Sequence, residues 1–317
     1  MGLDSFLYSV NASLPIFLTM AAGLGLRRLG LLDKHFADVA DQFVFKVTLP
    51  LMLFEQIRAV DVYNSFDGGY LAFCAGVTLT SILVAWALAR RFVPKRSVGA
   101  FVQACYRSSA AILGLAFIQN IYGSVGMAGL MVLGSVPLFN LFAVVVLTLE
   151  GPDAGGQPLK ARLVSAAKGV ATNPIILGIL AGLAAALIRL PVPTALDRVL
   201  ENFAGLTTPL ALVAIGVTFD FKAALGTSKL ALIASVVKLM VLPAVFLPLG
   251  AALGFREQMF MGLIVMLGSP CTPTSYVMAK TLGGDAPLAG SAVMLTTLAS
   301  SASLTFWIFL WHSLGVL

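Results

Sequence analysis

Long apolar runs alternate with short polar connections along the whole chain. Ten runs of about 20 residues each match the length of a transmembrane helix, whereas barrel strands need only about 10 residues and alternate in polarity. Backbone groups in hydrocarbon must be hydrogen-bonded internally, as they are in a helix. The pattern therefore predicts an all-α polytopic membrane protein with ten transmembrane helices, which we call spans 1 to 10. Their expected ranges are 9–28, 36–57, 68–90, 98–121, 125–149, 170–189, 196–219, 229–253, 257–280 and 287–314.

Composition supports this class. The 317 residues are 59% hydrophobic and 11% charged, and the mean hydropathy is +0.97, whereas a soluble domain carries about 25% charged residues. Lipid must therefore solvate most of the chain, and the net charge of +6 does not indicate a nucleic-acid partner. Cys74, Cys105 and Cys271 fall in predicted spans and form no metal or disulfide pattern. We expect no metal and no cofactor.

Basic residues are divided unevenly between alternate connections, thirteen against four. The positive-inside rule places the richer set in the cytoplasm and both termini outside, in a plasma membrane such as a bacterial inner membrane. The thirteen are Arg27, Arg28, Lys34, Arg90, Arg91, Lys95, Arg96, Lys160, Arg162, Lys168, Lys222, Lys229 and Lys280, and the four are Arg58, Arg189, Arg198 and Arg256. The remaining three, Lys46, Arg107 and Lys238, lie within predicted spans.

The two halves of the chain resemble each other at an offset of 159 residues. Residues 14–26 match residues 173–185 at six of thirteen positions, and residues 46–53 match residues 205–212 at four of eight. Because each half holds five spans, an odd number, the second half enters the membrane from the opposite side. The pattern predicts two inverted five-helix repeats, 1–152 and 153–317, as in many secondary transporters.

Two spans contain residues that interrupt a helix, at equivalent places in the two repeats. Span 9 carries Pro270 and Pro273, each of which removes a backbone donor. Span 4 carries Ser108, Ser109 and Gly114 at the equivalent place, without a proline. We therefore expect crossed broken helices 4 and 9, whose half-helix N-termini carry partial positive charge and favour an anion.

Arg107 is the most informative candidate site residue. A guanidinium in mid-membrane is costly, so it faces a cavity or an acidic partner, and its planar donors fit a carboxylate. Three interpretations stay open: it binds a substrate carboxylate, it pairs structurally with Glu55 or Asp41, or it lies near the membrane surface.

The other candidate substrate-binding residues surround the two breaks. Serine and threonine in membrane helices commonly bond to the preceding turn, so only their clustering at both breaks indicates binding. The set is Ser108, Ser109, Gly114, Pro270, Thr272, Pro273, Thr274 and Ser275.

Further charged residues and glycines lie in the spans. Glu55 is the best candidate proton carrier, Lys238 is expected to extend towards the membrane surface, and the roles of Asp41 and Lys46 stay open, as does coupling to protons or sodium. The glycines expected at close helix contacts are Gly25, Gly114, Gly178, Gly182 and Gly268.

Two segments resemble the auxin efflux carrier family, in particular its bacterial malate and malonate permease-like members. Residues 107–123 are similar to the family's Arg-x-Asn-Tyr-x-Ile-Leu-Gly-x-Pro-Leu pattern, although Ser109 replaces the common asparagine and Ala116 the common proline. Residues 269–308 are more similar. The matching positions are Arg107, Ile112, Leu113, Gly114, Gly123, Pro270, Ser275, Tyr276, Ala279, Gly284, Asp285, Thr297, Ser300 and Thr305.

The resemblance implies a bile-acid-symporter-like fold. Helices 1, 2, 6 and 7 would form a scaffold, and helices 3–5 and 8–10 would form a transport domain. The sequence is compatible with a homodimer that forms through the scaffold. The substrate would lie at the crossover of helices 4 and 9. The hypothesis is a secondary transporter, not an enzyme, that moves a small organic anion such as malate or malonate. The alternatives are an exporter of weak hydrophobic acids and a non-transporting membrane sensor.

Overall fold

The computed structural model describes residues 14–15, 18–60, 67–111, 118, 121–122, 126–151, 164, 167–218 and 221–317. All regular secondary structure in these ranges is helical, so the predicted all-α class is confirmed. Five described helices are long and apolar enough to cross a membrane: Gly68–Phe92, Leu130–Glu150, Thr194–Thr218, Lys229–Ala252 and Ala286–Ser313. Pro174–Leu187 and Glu257–Gly268 are shorter apolar helices.

The helices follow the predicted spans in order. Span 2 contains α2 and α3, span 7 contains α8 and α9, span 8 contains α10 and α11, and span 9 contains α12 and α13. The bounds are 18–28 (α1), Lys34–Phe43 (α2), Leu49–Arg58 (α3), Gly68–Phe92 (α4), Val98–Tyr106 (α5), Leu130–Glu150 (α6), Pro174–Leu187 (α7), Thr194–Gly205 (α8), Thr207–Thr218 (α9), Phe221–Val236 (α10), Leu242–Ala252 (α11), Glu257–Gly268 (α12), Thr274–Thr281 (α13) and Ala286–Ser313 (α14).

Side-chain caps begin several of these helices. The carboxylates of Asp33, Asp67 and Asp285 accept hydrogen bonds from the backbone N–H three residues on, at the starts of α2, α4 and α14. The side-chain oxygen of Asn173 caps α7 by accepting from the N–H of Ile175, two residues on, and Pro174 follows it, where a missing N–H costs nothing in the first turn. The sequence thus fixes these helix starts locally.

Two spans contain a wide π-turn instead of a regular helical turn. Val44–Thr48 joins α2 to α3, and Val237–Val241 joins α10 to α11. A proline follows each turn closely, Pro50 and Pro243 respectively. A proline ring clashes with the preceding helical turn and removes a hydrogen bond, which accounts for the local widening.

Glycines bring α7 against α3 and α1 against α9. A Cβ atom on Gly182 would lie 2.7 Å from the carbonyl oxygen of Phe54, and one on Gly23 would lie 2.5 Å from that of Val213. Gly178 packs just as closely on the backbone of Pro50. These four helices, which belong to predicted spans 1, 2, 6 and 7, therefore pack backbone against backbone.

Two more of the predicted glycine contacts can be compared with the structure. A Cβ on Gly268 would lie 3.1 Å from the Leu304 side chain, so this contact is confirmed. The prediction for Gly25 is wrong, because a Cβ there would meet nothing within 4 Å. Gly25 lies on a face of α1 that no described atom covers closely.

The remaining helices pack around the two interrupted segments. α4 packs on α5 and α6, while α14 packs on α10, α12 and α13. Most of the buried hydrophobic side chains, among them Tyr106, Phe260 and Met278, form one continuous cluster. The interrupted segments at 107–109 and 269–273 therefore sit inside packed protein.

Candidate functional site at two interrupted helices

Both predicted helix interruptions are present. α5 ends at Tyr106, and Arg107 has an extended backbone with φ −68° and ψ 137°. α12 ends at Gly268, Ser269 is extended, and the helix resumes as α13 at Thr274. Gly114 and most of the second half of span 4 lie outside the described residues.

The two non-helical segments touch. The backbone N–H of Ser109 donates to the carbonyl oxygen of Pro270 at 2.9 Å. The hydroxyl oxygens of Ser108 and Ser269 lie 2.8 Å apart. Backbone groups released by each interruption are therefore satisfied partly by the other one, as buried peptide groups require.

Hydroxyl groups bond to two further backbone groups of the span 9 break. The backbone N–H of Cys271 donates to Oγ1 of Thr296 on α14 at 3.0 Å. The Ser275 hydroxyl donates to the Thr272 carbonyl at 2.7 Å. Ser275 thus bonds to the backbone of the break itself.

Arg107 is buried, with 3% of its surface exposed, and its contacts are with neutral groups. Nη2 donates to Oδ1 of Asn140 at 2.8 Å and to Oγ1 of Thr274 at 3.1 Å. Nη1 donates to Oε1 of Gln103 at 3.0 Å and lies 2.7 Å from the sulfur of Met278. These contacts fix the guanidinium between α5, α6 and α13 without neutralising its charge.

One of the three interpretations of Arg107, the structural ion pair, is wrong. In the described part of the chain, Glu55 pairs with Arg58 at 2.5 Å and Asp41 pairs with Lys280 at 2.7 Å, so neither carboxylate serves Arg107. Arg107 is buried among protein side chains, and its depth in the membrane stays a prediction.

A cavity of about 420 Å³, including its open mouth, lies beside Arg107. Six of the nine predicted site residues line it: Arg107, Ser108, Ser109, Thr272, Pro273 and Thr274. Pro270 and Ser275 are not among the lining residues, and Gly114 lies outside the described residues.

The other lining residues come mainly from α3, α6 and α9, and the sequence did not identify them. The residues are Leu49, Met52, Leu53 and Gln56 on α3, Val136, Phe139 and Asn140 on α6, and Thr208 on α9. Asn140 carried a usable signal, since it is the one amide side chain in the apolar run of α6 and polar residues at such depth are costly. The cavity therefore has a polar end at Arg107 and an apolar wall.

Lys238 is fully buried, so the expectation that it extends to the membrane surface is wrong. Its Nζ donates to the carbonyl oxygens of Met266 at 3.0 Å and Leu267 at 2.6 Å. These belong to the last turn of α12, whose carbonyls have no partner within the helix. The helix end therefore holds the ammonium inside.

A second group of contacts joins α13 to α2 and α9. Nζ of Lys280 lies 2.7 Å from a carboxylate oxygen of Asp38 and 2.7 Å from one of Asp41. The hydroxyls of Tyr276 and Thr218 are 2.5 Å apart. Polar contacts thus close the space between these helices at the Asp41 end of span 2.

Comparison with known proteins gives the family. Residues 8–308 match the family described as "Membrane transport protein". The chain is 23% identical over 307 residues to an "Uncharacterized transporter" of Methanothermobacter thermautotrophicus, which covers 95% of this chain and 98% of that protein. It is 26% identical over 288 residues to a "Putative malonate transporter" of Rhizobium meliloti, covering 86% of each chain. It is 21% identical over 311 residues to the "Uncharacterized transporter YfdV" of Escherichia coli, covering 95% of this chain and 97% of that one. Since the family match extends over nearly the whole chain, this protein belongs to the membrane transport protein family, the auxin efflux carrier family that its motifs resemble.

Proposed function

We propose that this transporter carries a small organic anion, a malonate- or malate-like carboxylate, by alternating access. The observation that carries the proposal is the buried guanidinium of Arg107, which lines the cavity and contacts only neutral acceptors among the described residues. A buried charge is costly unless it is paired. A substrate carboxylate in the cavity supplies that pair through charge-assisted attraction to the guanidinium.

The start of α13 adds to the positive potential of the cavity. Pro273 and Thr274 line the cavity, and α13 begins at Thr274. Its first turn directs partial positive charge towards a bound anion. The similarity to a protein named as a malonate transporter supports the same substrate class.

We assign the fold to ten spans in two inverted repeats, and one pair of contacts supports this. Gly23 packs on the backbone of Val213, and Gly182 packs on the backbone of Phe54. Adding the repeat offset of 159 to Gly23 gives Gly182, and adding it to Phe54 gives Val213. These two glycine contacts between the halves are thus the same contact made twice with the roles of the halves exchanged.

These contacts fit a scaffold of spans 1, 2, 6 and 7, against which spans 3–5 and 8–10 move. The cavity runs along α3 from Leu49 to Gln56, away from Asp41. Asp41 precedes Leu49 by eight residues, or about 12 Å of helix. If the basic connections face the cytoplasm and both termini lie outside, the Lys280 contacts close the cytoplasmic side and the structure faces outward.

A second candidate is export of weak hydrophobic acids. The apolar wall at Leu49, Leu53, Val136 and Phe139 favours it, because this wall could hold the body of such an acid while Arg107 holds its carboxylate. Competition between an aromatic monocarboxylate and a short dicarboxylate discriminates between the two candidates.

The test is flux in proteoliposomes. Labelled mono- and dicarboxylates are offered under separate proton, sodium and voltage gradients, with the corresponding neutral amides as controls. The proposal predicts saturable flux of a short carboxylate and no competition by its amide. Specific binding without flux under every gradient would instead identify a sensor, and transport of the amide would contradict the anion assignment.

A further inference from the structure

Lys238 lies directly behind the break of span 9. It is on the π-turn Val237–Val241, which α5, α12 and α14 surround. Trp307 on α14 donates Nε1–H to the carbonyl of neighbouring Leu239 at 2.9 Å and holds this turn in place. The side chain is fully buried and therefore belongs to the interior of the crossing.

The groups that face the Lys238 ammonium carry no formal negative charge in the described ranges. Its hydrogen-bond acceptors are the carbonyls of Met266 and Leu267. The titratable groups that interact with it electrostatically are the thiols of Cys105 and Cys271. Among the described residues, no carboxylate lies within ion-pair distance of it. The compensation comes from the negative end of the α12 dipole and its free carbonyls.

Carbonyl oxygens at the C-terminal end of a broken helix are also the ligands by which secondary transporters bind a coupling cation. Such ions are held by several oxygens in a dry, fixed arrangement. Here a covalently attached ammonium already contacts two such carbonyls. Its four-carbon stem enters from span 8, and its attachment to the chain prevents it from dissociating as a free ion does.

We propose that Lys238 is a tethered cation, which takes the place of an exchangeable inorganic monovalent cation at the C-terminal end of α12. Transport therefore needs no sodium at this position. Removal of the side chain opens a site that Na⁺ or methylammonium fills. The Lys238 ammonium would supply a fixed positive charge beside the two breaks, which adds to the proposed function. The proposal rests on that function only in the flux measurement.

The test has a stability readout and a flux readout on purified full-length protein. Thermal unfolding of the parent, Lys238→Ala and Lys238→Met is followed in choline, sodium and methylammonium salts of equal ionic strength. The parent is expected to unfold at the same temperature in all three. Lys238→Ala is expected to unfold at lower temperature in choline and to gain at least about 3 °C in sodium or methylammonium, because a ligand bound only to the folded state stabilises it. Lys238→Met fills the space with an apolar chain and is expected to gain nothing.

The flux arm uses the best-transported carboxylate. The parent is expected to transport equally in choline and sodium, and Lys238→Ala to lose at least tenfold in choline and recover in part with methylammonium. If no carboxylate is transported by the parent, the proposed function fails while the thermal arm still decides the cation site.

Any of three results would overturn the inference. Lys238→Ala could show no cation-specific gain in stability, or it could transport as fast as the parent in choline. The parent itself could be stabilised specifically by sodium bound to the Met266 and Leu267 carbonyls. Lys238→Ser serves as a second opening variant. Failure of both variants to fold even in methylammonium also counts against the inference, since a free cation then does not replace the tethered one.

Discussion

Nζ of Lys280 lies 2.7 Å from Oδ2 of Asp41, and this contact joins α13 to α2. The Asp41 side chain is 3% exposed and that of Lys280 is 22% exposed, so the ion pair is partly shielded from solvent. Asp38 makes a second bond to the same ammonium. Because α13 follows the break that lines the cavity, a movement of α13 relative to span 2 must separate this group of charges.

Weakening the Lys280 contact is expected to separate α13 from α2 and to open the protein at the Asp41 end of span 2. Replacing Lys280 with Gln removes about 1–2 kcal/mol, which changes the ratio of closed to open forms by a factor of about 5–30. A cysteine at position 218, made by Thr218→Cys beside Tyr276, should therefore react with a maleimide about 5–30 times faster when Lys280→Gln is also present. Lys95→Gln, the same change at an exposed position, is the matched control and should leave the rate unchanged. Equal rates in all three proteins would show that the Lys280 contact does not hold this side closed.

Asn140 is expected to hold the Arg107 guanidinium in position and, because its side chain is neutral, to leave the positive charge available to the substrate. Its Oδ1 accepts from Nη2 of Arg107, and a hydrogen bond to a charged group contributes about 1.5–3 kcal/mol. Asn140→Ala should raise the KM for the transported carboxylate about tenfold. Asn140→Asp should raise it at least tenfold further, because the new carboxylate neutralises the guanidinium that the substrate needs.

Ser135→Ala is the control on the same helix, since the Ser135 hydroxyl only bonds back to Met131. The KM values of the parent and of the three variants come from initial uptake rates in proteoliposomes. An Asn140→Asp protein with the KM of the parent would contradict the role assigned to Arg107.

Thr296 should stabilise the span 9 break more than its neighbour does. Its hydroxyl accepts from the N–H of Cys271, whereas the Thr297 hydroxyl donates only to Val293 on its own helix. Thr296→Val leaves a buried N–H without an acceptor, at a cost of about 1–3 kcal/mol. We expect a lower unfolding temperature for Thr296→Val, by several degrees, and little change for Thr297→Val. Thermal unfolding in detergent measures both, and equal shifts would show that the Cys271 bond contributes nothing specific.

The repeated glycine contacts should respond equally to added volume. Gly23→Ala and Gly182→Ala each place a methyl group against a carbonyl oxygen, and overpacking of this kind costs about 1–3 kcal/mol. Gly25→Ala meets no atom within 4 Å and gains helix propensity, up to about 1 kcal/mol. Denaturation midpoints should therefore fall for the first two variants and hold or rise for the third. A tolerated Gly182→Ala with a damaging Gly23→Ala would argue against equivalent contacts.

Local chemistry explains why some features could be predicted from the sequence. Pro270 and Pro273 cannot continue a helix, and the repeat offset carried that information to Ser108 and Ser109, which have no proline. Caps such as Asp285 and the apolar length of each span are also local signals. Both helix interruptions and the all-helical class follow from them.

Features that depend on two distant helices could not be predicted in this way. The contact of Arg107 with Asn140, the capping of α12 by Lys238 and the pairing of Lys280 with Asp41 each join elements far apart in sequence. The sequence predicts an exposed Lys238 ammonium because a long cationic side chain in an apolar run normally extends to the surface. Its buried acceptors are carbonyls at the end of α12, which only the three-dimensional structure brings beside it. Gly25 was misassigned because periodicity alone does not show which face of α1 meets a neighbour.

In the proposed function, the Arg107 guanidinium binds the carboxylate of the substrate in the cavity beside the two breaks. The most direct test is the Kd of the best-transported carboxylate for purified parent, Arg107→Gln and the exposed control Arg28→Gln, with the neutral amide of the substrate as competitor. We expect a Kd at least tenfold higher for Arg107→Gln, an unchanged Kd for Arg28→Gln, and no competition by the amide. Binding by Arg107→Gln as tight as that of the parent would show that Arg107 does not bind the substrate carboxylate.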